Sequence, residues 1–507
     1  MGIGEMIDGA IAPFAPGWAR NRAAARVEFA ANRIAGEQVR AYDAAGRGRR
    51  TKGWRRDSSS ANAENDRART MLAGAGHDLA RNNKYAGSAV RQLTATIWGD
   101  GISAQVTHPV KRIQQRAQDE IDRWAESKVD GFGDWYGHGK IAVREMIVGG
   151  ESLTLWRPDA GGPDGRISGI EGAQLDMSRT SALNDGARVV QGVQFDRDNE
   201  RTGYWLFDEH PHDMTFTVAG ASKFRSIEDV DHVFERLRFG QARGVSWLGA
   251  VAMTLRDIGD IEDAMRLQAK VQACLALVVS PGEGQSSSPL GPQAVPQGDD
   301  GKRPLEEAIR PGSIVRLQNG ESATVINPTP SATNVEFIRQ QIAAVSANMV
   351  PYHLMTGDVS QANYSGLRAA MNGSYALVDD WQQNDVIPLL CRPMVTRRMR
   401  RLAFETGDRR YLDVRASFAL PVRRLVDPIK DLMGEIMEIR AGLKLISKGL
   451  AERGINAEDH MRQIAEMNTL IDTLGLALDS DPRRLTDSGV LQAAAGYIAP
   501  KGDQAQN

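Results

Sequence analysis

Thr333-Asn-Val-Glu-Phe-Ile-Arg-Gln-Gln-Ile-Ala-Ala-Val-Ser-Ala-Asn-Met-Val-Pro351 is the stretch from which the fold is read. Thr333 and Glu336 have the spacing of a capping box, in which each side chain satisfies an orphan backbone N–H, so a helix is expected to start here. Ile338, Ile342, Val345 and Met349 follow at spacings of four and three. That is the stripe of a helix buried on one side, and Val350-Pro351 disfavours its continuation. The next residues, Met355-Thr-Gly-Asp-Val-Ser-Gln-Ala-Asn-Tyr-Ser-Gly366, are polar and turn-rich, and Leu367 opens a second stripe through Met371, Val378 and Trp381. Two helices therefore flank a polar loop. Pro388 and Pro393 are expected to kink or interrupt the second helix ahead of the basic run Arg397, Arg398, Arg400 and Arg401.

Working towards the N-terminus, Leu248, Val251, Leu255, Ile258, Ile261 and Met265 predict another helix that extends towards Leu275. At roughly 30 residues it would be about 45 Å long. Between it and residue 333 lies a Gly/Ser/Pro-rich run from Ser280 to Gly301, then Gly312 to Ile326, which reads as two short strands around Asn319-Gly320, a strong hairpin signal. Helix, insert and helix form one antiparallel excursion. An ordinary helical hairpin would account for the helices, but not for a mostly polar insert at their far end.

The composition of the 507 residues, 41% hydrophobic and 25% charged, is that of a globular protein and excludes a disordered one. Cys274 and Cys391 sit in apolar segments without CxxC pairing, so neither a disulfide framework nor a structural zinc site is expected, and a reducing compartment fits. No run of about 18 apolar residues is present, and the start Met-Gly-Ile-Gly-Glu-Met-Ile-Asp lacks the blocks of a secretory signal, so neither a membrane span nor export is expected. A net charge of −2 argues against a protein that coats nucleic acid over its whole surface and leaves room for local patches.

The chemistry-bearing motifs are weak. Gly301-Lys302 is followed by Arg303 and Gly139-Lys140 by Ile141, so neither is a phosphate-binding loop. Gly244-Val-Ser-Trp-Leu-Gly249 has the spacing GxSxxG, one residue too long for a nucleophile elbow, and a helix start explains its serine better. Asp379 and Asp380 are adjacent on a helix and point in different directions, which suits a solvated face. His210-Pro-His212 invites a metal hypothesis, but two histidines with no third ligand read more simply as a polar loop. No catalytic residue, metal or cofactor is expected, and no enzymatic activity.

Taken in order, residues 20–56 hold eleven Arg or Lys against Glu28, Glu37 and Asp43. Arg47, Arg49, Arg50, Lys52, Arg55 and Arg56, with Trp54 among them, have the residue types of a phosphate contact. The alternative is a basic, partly disordered arm (1–60) that packs on a neighbour. A helix is expected from Ala63, with Leu72, Leu79, Tyr85, Val90 and Leu93 on recurring turns, ending near Gly99-Asp-Gly101. A second should run from about Pro109 to Ser127. The part from 139 to 231 mixes helix with strand: Glu151 to Arg157 alternates and then meets the turn-rich 158–165, while Val189 to Phe195 and Gly203 to Phe207 supply further strands. Tyr411 to Phe418 reads as a returning strand. Asp427-Pro428 starts a helical end carried by Leu432, Ile436, Ile439 and Leu443, then Met461, Ile464 and Met467, and the tail from 481 has little periodicity.

Val350-Pro-Tyr-His-Leu-Met-Thr-Gly-Asp-Val-Ser-Gln-Ala-Asn-Tyr-Ser-Gly-Leu-Arg-Ala-Ala370 resembles the tunnel-loop region of the lambda-like phage portal proteins. Asp78-Leu-Ala-Arg-Asn-Asn83, with Tyr85, Ala86, Ala89 and Val90, and Gln241-Ala-Arg-Gly-Val-Ser-Trp-Leu248 agree in the expected order, so the resemblance covers roughly Asn62 to Phe418. It departs at Gly366, where a second serine is usual, and at Ser246-Trp247. The fold class it implies is α+β and mainly helical. Residues 61–244 would be a wing, 245–275 and 333–354 two stem helices, 276–332 a clip, 355–366 the tunnel loop, 367–426 a kinked long helix with its return strand, and 427–480 a helical crown.

The function this resemblance implies is that of a portal subunit. About twelve copies would form a ring at the capsid portal vertex of a virion, assembled in the host cytoplasm, through which double-stranded DNA is packaged and ejected. Its implied partners are the terminase large subunit, a head-completion adaptor, the major capsid protein and scaffold. Asp358, Val359, Ser360, Gln361, Ala362, Asn363, Tyr364 and Ser365 would line the channel. Two rival readings are a metal-dependent nuclease, which needs a carboxylate cluster that the sequence does not display, and a capsid or scaffold component that self-associates without a pore.

Overall fold

The computed structural model describes residues 6–7, 10–38, 49, 52–53, 58–157, 166–213, 220–275, 332–360, 362–423, 428–453, 455 and 457–476. The chain divides into two units, 1–60 and 61–507. In the first, helix α1 (Pro16–Gln38) occupies the stretch expected as a basic arm. It is rich in alanine, arginine and glutamate, which lose little freedom on becoming helical, and it leaves Trp18, Val27 and Phe29 exposed.

Among its described residues the second unit is mainly helical, with three small antiparallel sheets. Where one helix is expected between 63 and 99 there are two, α2 (Ala61–Asn82) and α3 (Lys84–Ile97). Asn83 causes the break. Its backbone is extended, its side-chain oxygen accepts from the N–H groups of Tyr85 and Ala86, both at 3.0 Å, and its amide donates to Leu255 O at 3.3 Å. Next come strand β1 (Ser103–Thr107), α4 (Lys111–Ala125) and α5 (Trp135–Val148). Ile113, Ala117, Ile121 and Trp124 form the buried stripe of α4.

Residues 151–234 build the other two sheets. Strand β2 (Glu151–Arg157) lies between β3 (Arg166–Glu171) and β9 (Val230–Phe234). The strands β4 (Ser181–Ala182), β5 (Arg188–Val190), β6 (Val193–Phe195), β7 (Arg201–Leu206) and β8 (Lys223–Ser226) pair in sequence order. The stretch 189–195, expected as one strand, is therefore a tight hairpin. Gln191 and Gly192 turn it with φ of 51° and 85°, the left-handed geometry that matches strand twist.

Helices α6 (Ala252–Leu275) and α7 (Ala332–Ser346) pack against each other. Ile342, Val345 and Met349 are buried as the stripe predicts, and Ile338 packs on the core. Two details differ. The helix starts at Ala332, which puts Thr333 in its first turn rather than at its cap, and it stops at Ser346, short of Val350-Pro351 where its end is expected. A separate short helix, α8 (Tyr352–Thr356), follows with Pro351 at its cap, where a missing N–H costs nothing.

From α9 (Tyr364–Trp381) the chain continues without a break through Gln382–Cys391 into α10 (Arg392–Thr406). At Pro388, where a kink or an interruption is expected, the α-helical register gives way while the chain stays helical. The middle segment widens to i→i+5 hydrogen bonds, as in Arg392 N–H to Ile387 O, a register that gives the carbonyl facing Pro388 another donor. The basic run on α10 is neutralised: Arg397 pairs with Asp231, Arg398 with Glu120, Arg400 with Glu228 and Arg401 with Glu405. The strand expected over 411–418 is found as β10 (Arg415–Ala419), which pairs antiparallel with β1, a strand that the sequence reading did not name. Helices α11 (Pro428–Arg440), α12 (Ile446–Ala451) and α13 (Ala457–Thr473) end the described chain. The insert at 276–331 with its Asn319-Gly320 hairpin, the turn 158–165 and the tail from 481 lie outside the described residues.

The main core gathers α3, α4, α5, α7 and the long helix around Trp98, Trp124 and Trp135, all fully buried. A smaller core lies between the two sheets of 151–234 and holds Leu153, Val193, Tyr204 and Leu206. Where the sheets meet α2, an ionic cluster replaces apolar packing. Glu151, with no exposed surface, accepts from Arg69 at 2.6 Å, from the Gly244 N–H at 2.9 Å and from Arg243, and it meets His232 Nε2 at 3.1 Å. Burial alone would raise this carboxyl, but the guanidiniums of Arg243 and Arg69 outweigh it and hold it well below the usual carboxylate range.

Burial pushes both His138 and His232 down to about 4. Unfolded, each returns to about 6.5. Between those values the unfolded chain takes protons that the folded chain refuses. The share of stability that rests on these two histidines is therefore full above about pH 6.5 and is lost as pH drops towards 4. Glu151, depressed in the fold, adds a loss of the same sign at lower pH. Asp385, pushed up to about 6 by burial, contributes with the opposite sign over the same range, so the test is a comparison: thermal melting of the unaltered chain should lose more between about pH 6.5 and 4 than that of His138→Gln, and parallel profiles would contradict the assignment.

Candidate functional site: the polar segment between two helices

The segment that follows α8 is shaped by short-range hydrogen bonds. Thr356 Oγ1 donates to Tyr352 O at 2.8 Å and accepts from Asp358 N at 3.1 Å. Gly357 ends α8 at φ 74°, left-handed backbone that a residue with a Cβ adopts only under strain. The Asp358 carboxylate then accepts from Ser360 N at 2.9 Å and lies 3.7 Å from the guanidinium of Arg339 on α7. The Ser360 hydrogen bond, with Arg339 as a weaker contributor, holds its carboxyl below the ordinary value. At the other end Asn363 caps α9, its oxygen accepting from Gly366 N at 2.7 Å and from the Ser365 hydroxyl at 3.1 Å. A Cβ on Gly366 would come within 2.8 Å of that oxygen, which explains why glycine suits this position.

Val359, Ser360, Ala362, Asn363, Tyr364 and Ser365 are all exposed, Val359 at 58% and Tyr364 at 45%. Beneath them Met355 is buried and anchors the segment in the main core. The base is tied to the C-terminal helices, with Arg368 to Asp431 at 2.6 Å and the Lys430 ammonium 5.7 Å over the Tyr364 ring. The result is a polar surface on a rigid base whose described anion, Asp358, is already engaged. Arg339 is the participant that sequence reasoning missed: it sits on the preceding helix, stacks 5.7 Å over Tyr352, and carries no sequence signal that pairs it with Asp358.

Gln361 lies outside the described residues, as do Arg47, Arg50, Arg55 and Arg56 of the basic run. Arg49 and Lys52 are exposed in the first unit. The other stretches singled out in the sequence have structural work. Gln241 donates to Arg243 O at 2.8 Å, Arg243 is the buried partner of Glu151, and Ser246 caps a short turn by accepting from Leu248 N at 3.3 Å. Tyr85 donates to Glu262 at 2.8 Å and Lys84 pairs with it at 2.6 Å, which ties α3 to α6. Among the described residues no helix is long and apolar enough to cross a membrane.

Residues 47–382 match the model of a family described as phage portal protein, lambda family. A curated relative, the probable portal protein of Halomonas phage phiHAP-1, is 26% identical over 204 residues, 39% of this chain, and the chain spans 39% of that relative's length. Among solved structures, a chain in the virion of the native gene transfer agent (GTA) particle is similar with a TM-score of 0.39 and 14% identity, over 76% of this chain and 94% of that one. A chain in the neck of the native GTA particle, computed with C12 symmetry, gives 0.39 and 16% over the same shares.

Proposed function

The chain belongs to the lambda family of phage portal proteins, and we propose that it is a portal subunit whose copies close into a ring around an axial channel for double-stranded DNA. The observation that carries this reading is the polar segment 357–366, which lies within the family match, is short of free charge, and whose described residues other than the half-buried Asp358 are exposed. With Asp358 engaged by Ser360 and Arg339, Ser360, Asn363 and Ser365 present neutral groups to whatever passes. Such groups can touch a sliding phosphate backbone without the charge-assisted contacts that would hold it.

In this reading α6 and α7 are the stem, and the insert 276–332 is a clip on which the terminase large subunit and later a head-completion adaptor dock. Residues 61–244 form the wing and α11 to α13 the crown. The ring, about twelve copies by the resemblance, stands at the portal vertex of the virion capsid beside major capsid and scaffold proteins, after assembly in the host cytoplasm.

Ring closure has support in the apolar groups left uncovered among the described residues. Ile429, Leu432 and Ile436 form an exposed stripe along α11, and Met461, Ile464, Met467 and Leu470 another along α13. Val335 and Phe337 are exposed on α7. Such faces need a neighbour, and one interface repeated by rotation either closes or grows into a filament. Glutamate at Val335, Ile436 and Ile464 together should leave the fold intact, since all three side chains already face solvent, and should convert rings into single subunits in native mass spectrometry. Rings of unchanged mass would show that these faces lie outside the interface.

A further inference from the structure

We infer that His77, Glu145 and Glu171 form a binding site for a divalent transition-metal ion of the zinc class, which fastens α2 and α5 to the end of β3. The three residues come from distant parts of the chain, and one ligand atom of each lies within 4.8 Å of the other two. Among the described residues no other trio of His, Cys, Asp or Glu donors converges in this way. His77 Nε2 and Glu145 Oε1 are 3.1 Å apart. A tetrahedral ion with bonds of about 2.0–2.2 Å holds its ligand atoms about 3.3–3.6 Å apart, so this edge of the polyhedron is already in place. The remaining closure falls to Glu171, whose side chain is 54% exposed at a strand end and would have to turn from its capping contact with the Gln174 N–H.

The loop that follows β7 borders this trio without belonging to it. His210 Nε2 lies 3.6 Å from the Glu171 carboxylate, and the His212 ring is 5.8 Å from that of His210. The pair His210-Pro-His212 lacked a third ligand in the sequence; in the fold it borders a carboxylate that two other donors already approach. Mixed imidazole and carboxylate donors select zinc, cobalt or nickel over magnesium and calcium, which take oxygen ligands. None of these residues belongs to the segment 357–366, so the site is separate from the proposed channel. Without an ion the same atoms make a histidine–carboxylate ion pair, and that is the alternative the experiment must separate.

Isothermal titration of the purified chain with zinc chloride should show one ion bound per subunit, with no comparable heat from magnesium chloride. Affinity should fall at least about tenfold in His77→Ala and in Glu171→Gln and stay unchanged in His108→Ala, a remote control. Glu171→Gln guards against misfolding, because its side chain is half exposed, and zinc should raise the melting temperature of the unaltered chain but not of this variant. Absence of saturable zinc binding, or affinity that survives both site variants, would overturn the site. A preference for magnesium would overturn its chemical class.

Discussion

Glutamine in place of Glu151 should destabilise the second unit by about 3–5 kcal/mol, a large part of what an ordinary domain has in total. The carboxylate is buried with Arg69 and Arg243, whose side chains are 2% and 0% exposed. Removing its charge leaves two guanidiniums in a site closed to water, with the neutral carbonyls of Gly172, Leu175 and Gln191 to face them. These residues join α2 to the start of β2 and to the turn before α6, so the loss is felt across the sheets. The exposed pair Lys111–Glu458, at 71% and 53%, is the contrast: Lys111→Ala should cost less than about 1 kcal/mol, because water already solvates both ends. Arg69→Met should fall between the two, since Glu151 keeps Arg243. Denaturant unfolding of the three variants checks this ordering, and a Glu151→Gln protein within about 1 kcal/mol of the unaltered chain would refute the role given to the cluster.

Arginine at Ser360, Gln361 and Ala362 should leave assembly intact and stop DNA movement. Asn363 is spared because its side chain caps α9, and its loss would mix a folding cost of about 1 kcal/mol into the result. Ser360 and Ala362 are exposed, so their replacement alters the surface rather than the core, and the one bond lost there is that of the Ser360 hydroxyl to Asp358. Repeated around a ring, each guanidinium would grip a phosphate in a charge-assisted contact where the native side chains release it. DNA packaged per particle should drop at least about tenfold and recover in part as salt is raised, because such contacts are bought with counterion release. Normal packaging by assembled triple-arginine rings would remove the segment from the channel.

Much of this architecture can be read in the sequence where periodicity and turn chemistry act locally. The stripe Ile342, Val345 and Met349, the helix at Lys111–Ala125, the hairpin of β2 with β3 and the return of β10 all follow from spacing and alternation. Features set by contacts from afar did not show. Asn83 reads as one more residue of a long helix until its amide is seen to reach Leu255 O. Pro388 signals a break, yet neighbours such as Gln382, whose amide donates to Ile97 O at 2.6 Å, keep the chain helical in a wider register. Glu151, in an alternating strand, looks solvent-facing, and only the fold brings Arg69 and Arg243 to it. The candidate site was legible as a polar, turn-rich segment, and its capping bonds at Asp358 and Asn363 follow from residue type. The salt bridge to Arg339 was not, since it depends on how α7 lies beside the loop.

Class-averaged electron micrographs of the purified, assembled chain test the central claim most directly. Closed rings with an axial opening, seen end-on, are the predicted result. Solid particles or open filaments would contradict it, since neither offers duplex DNA a way through.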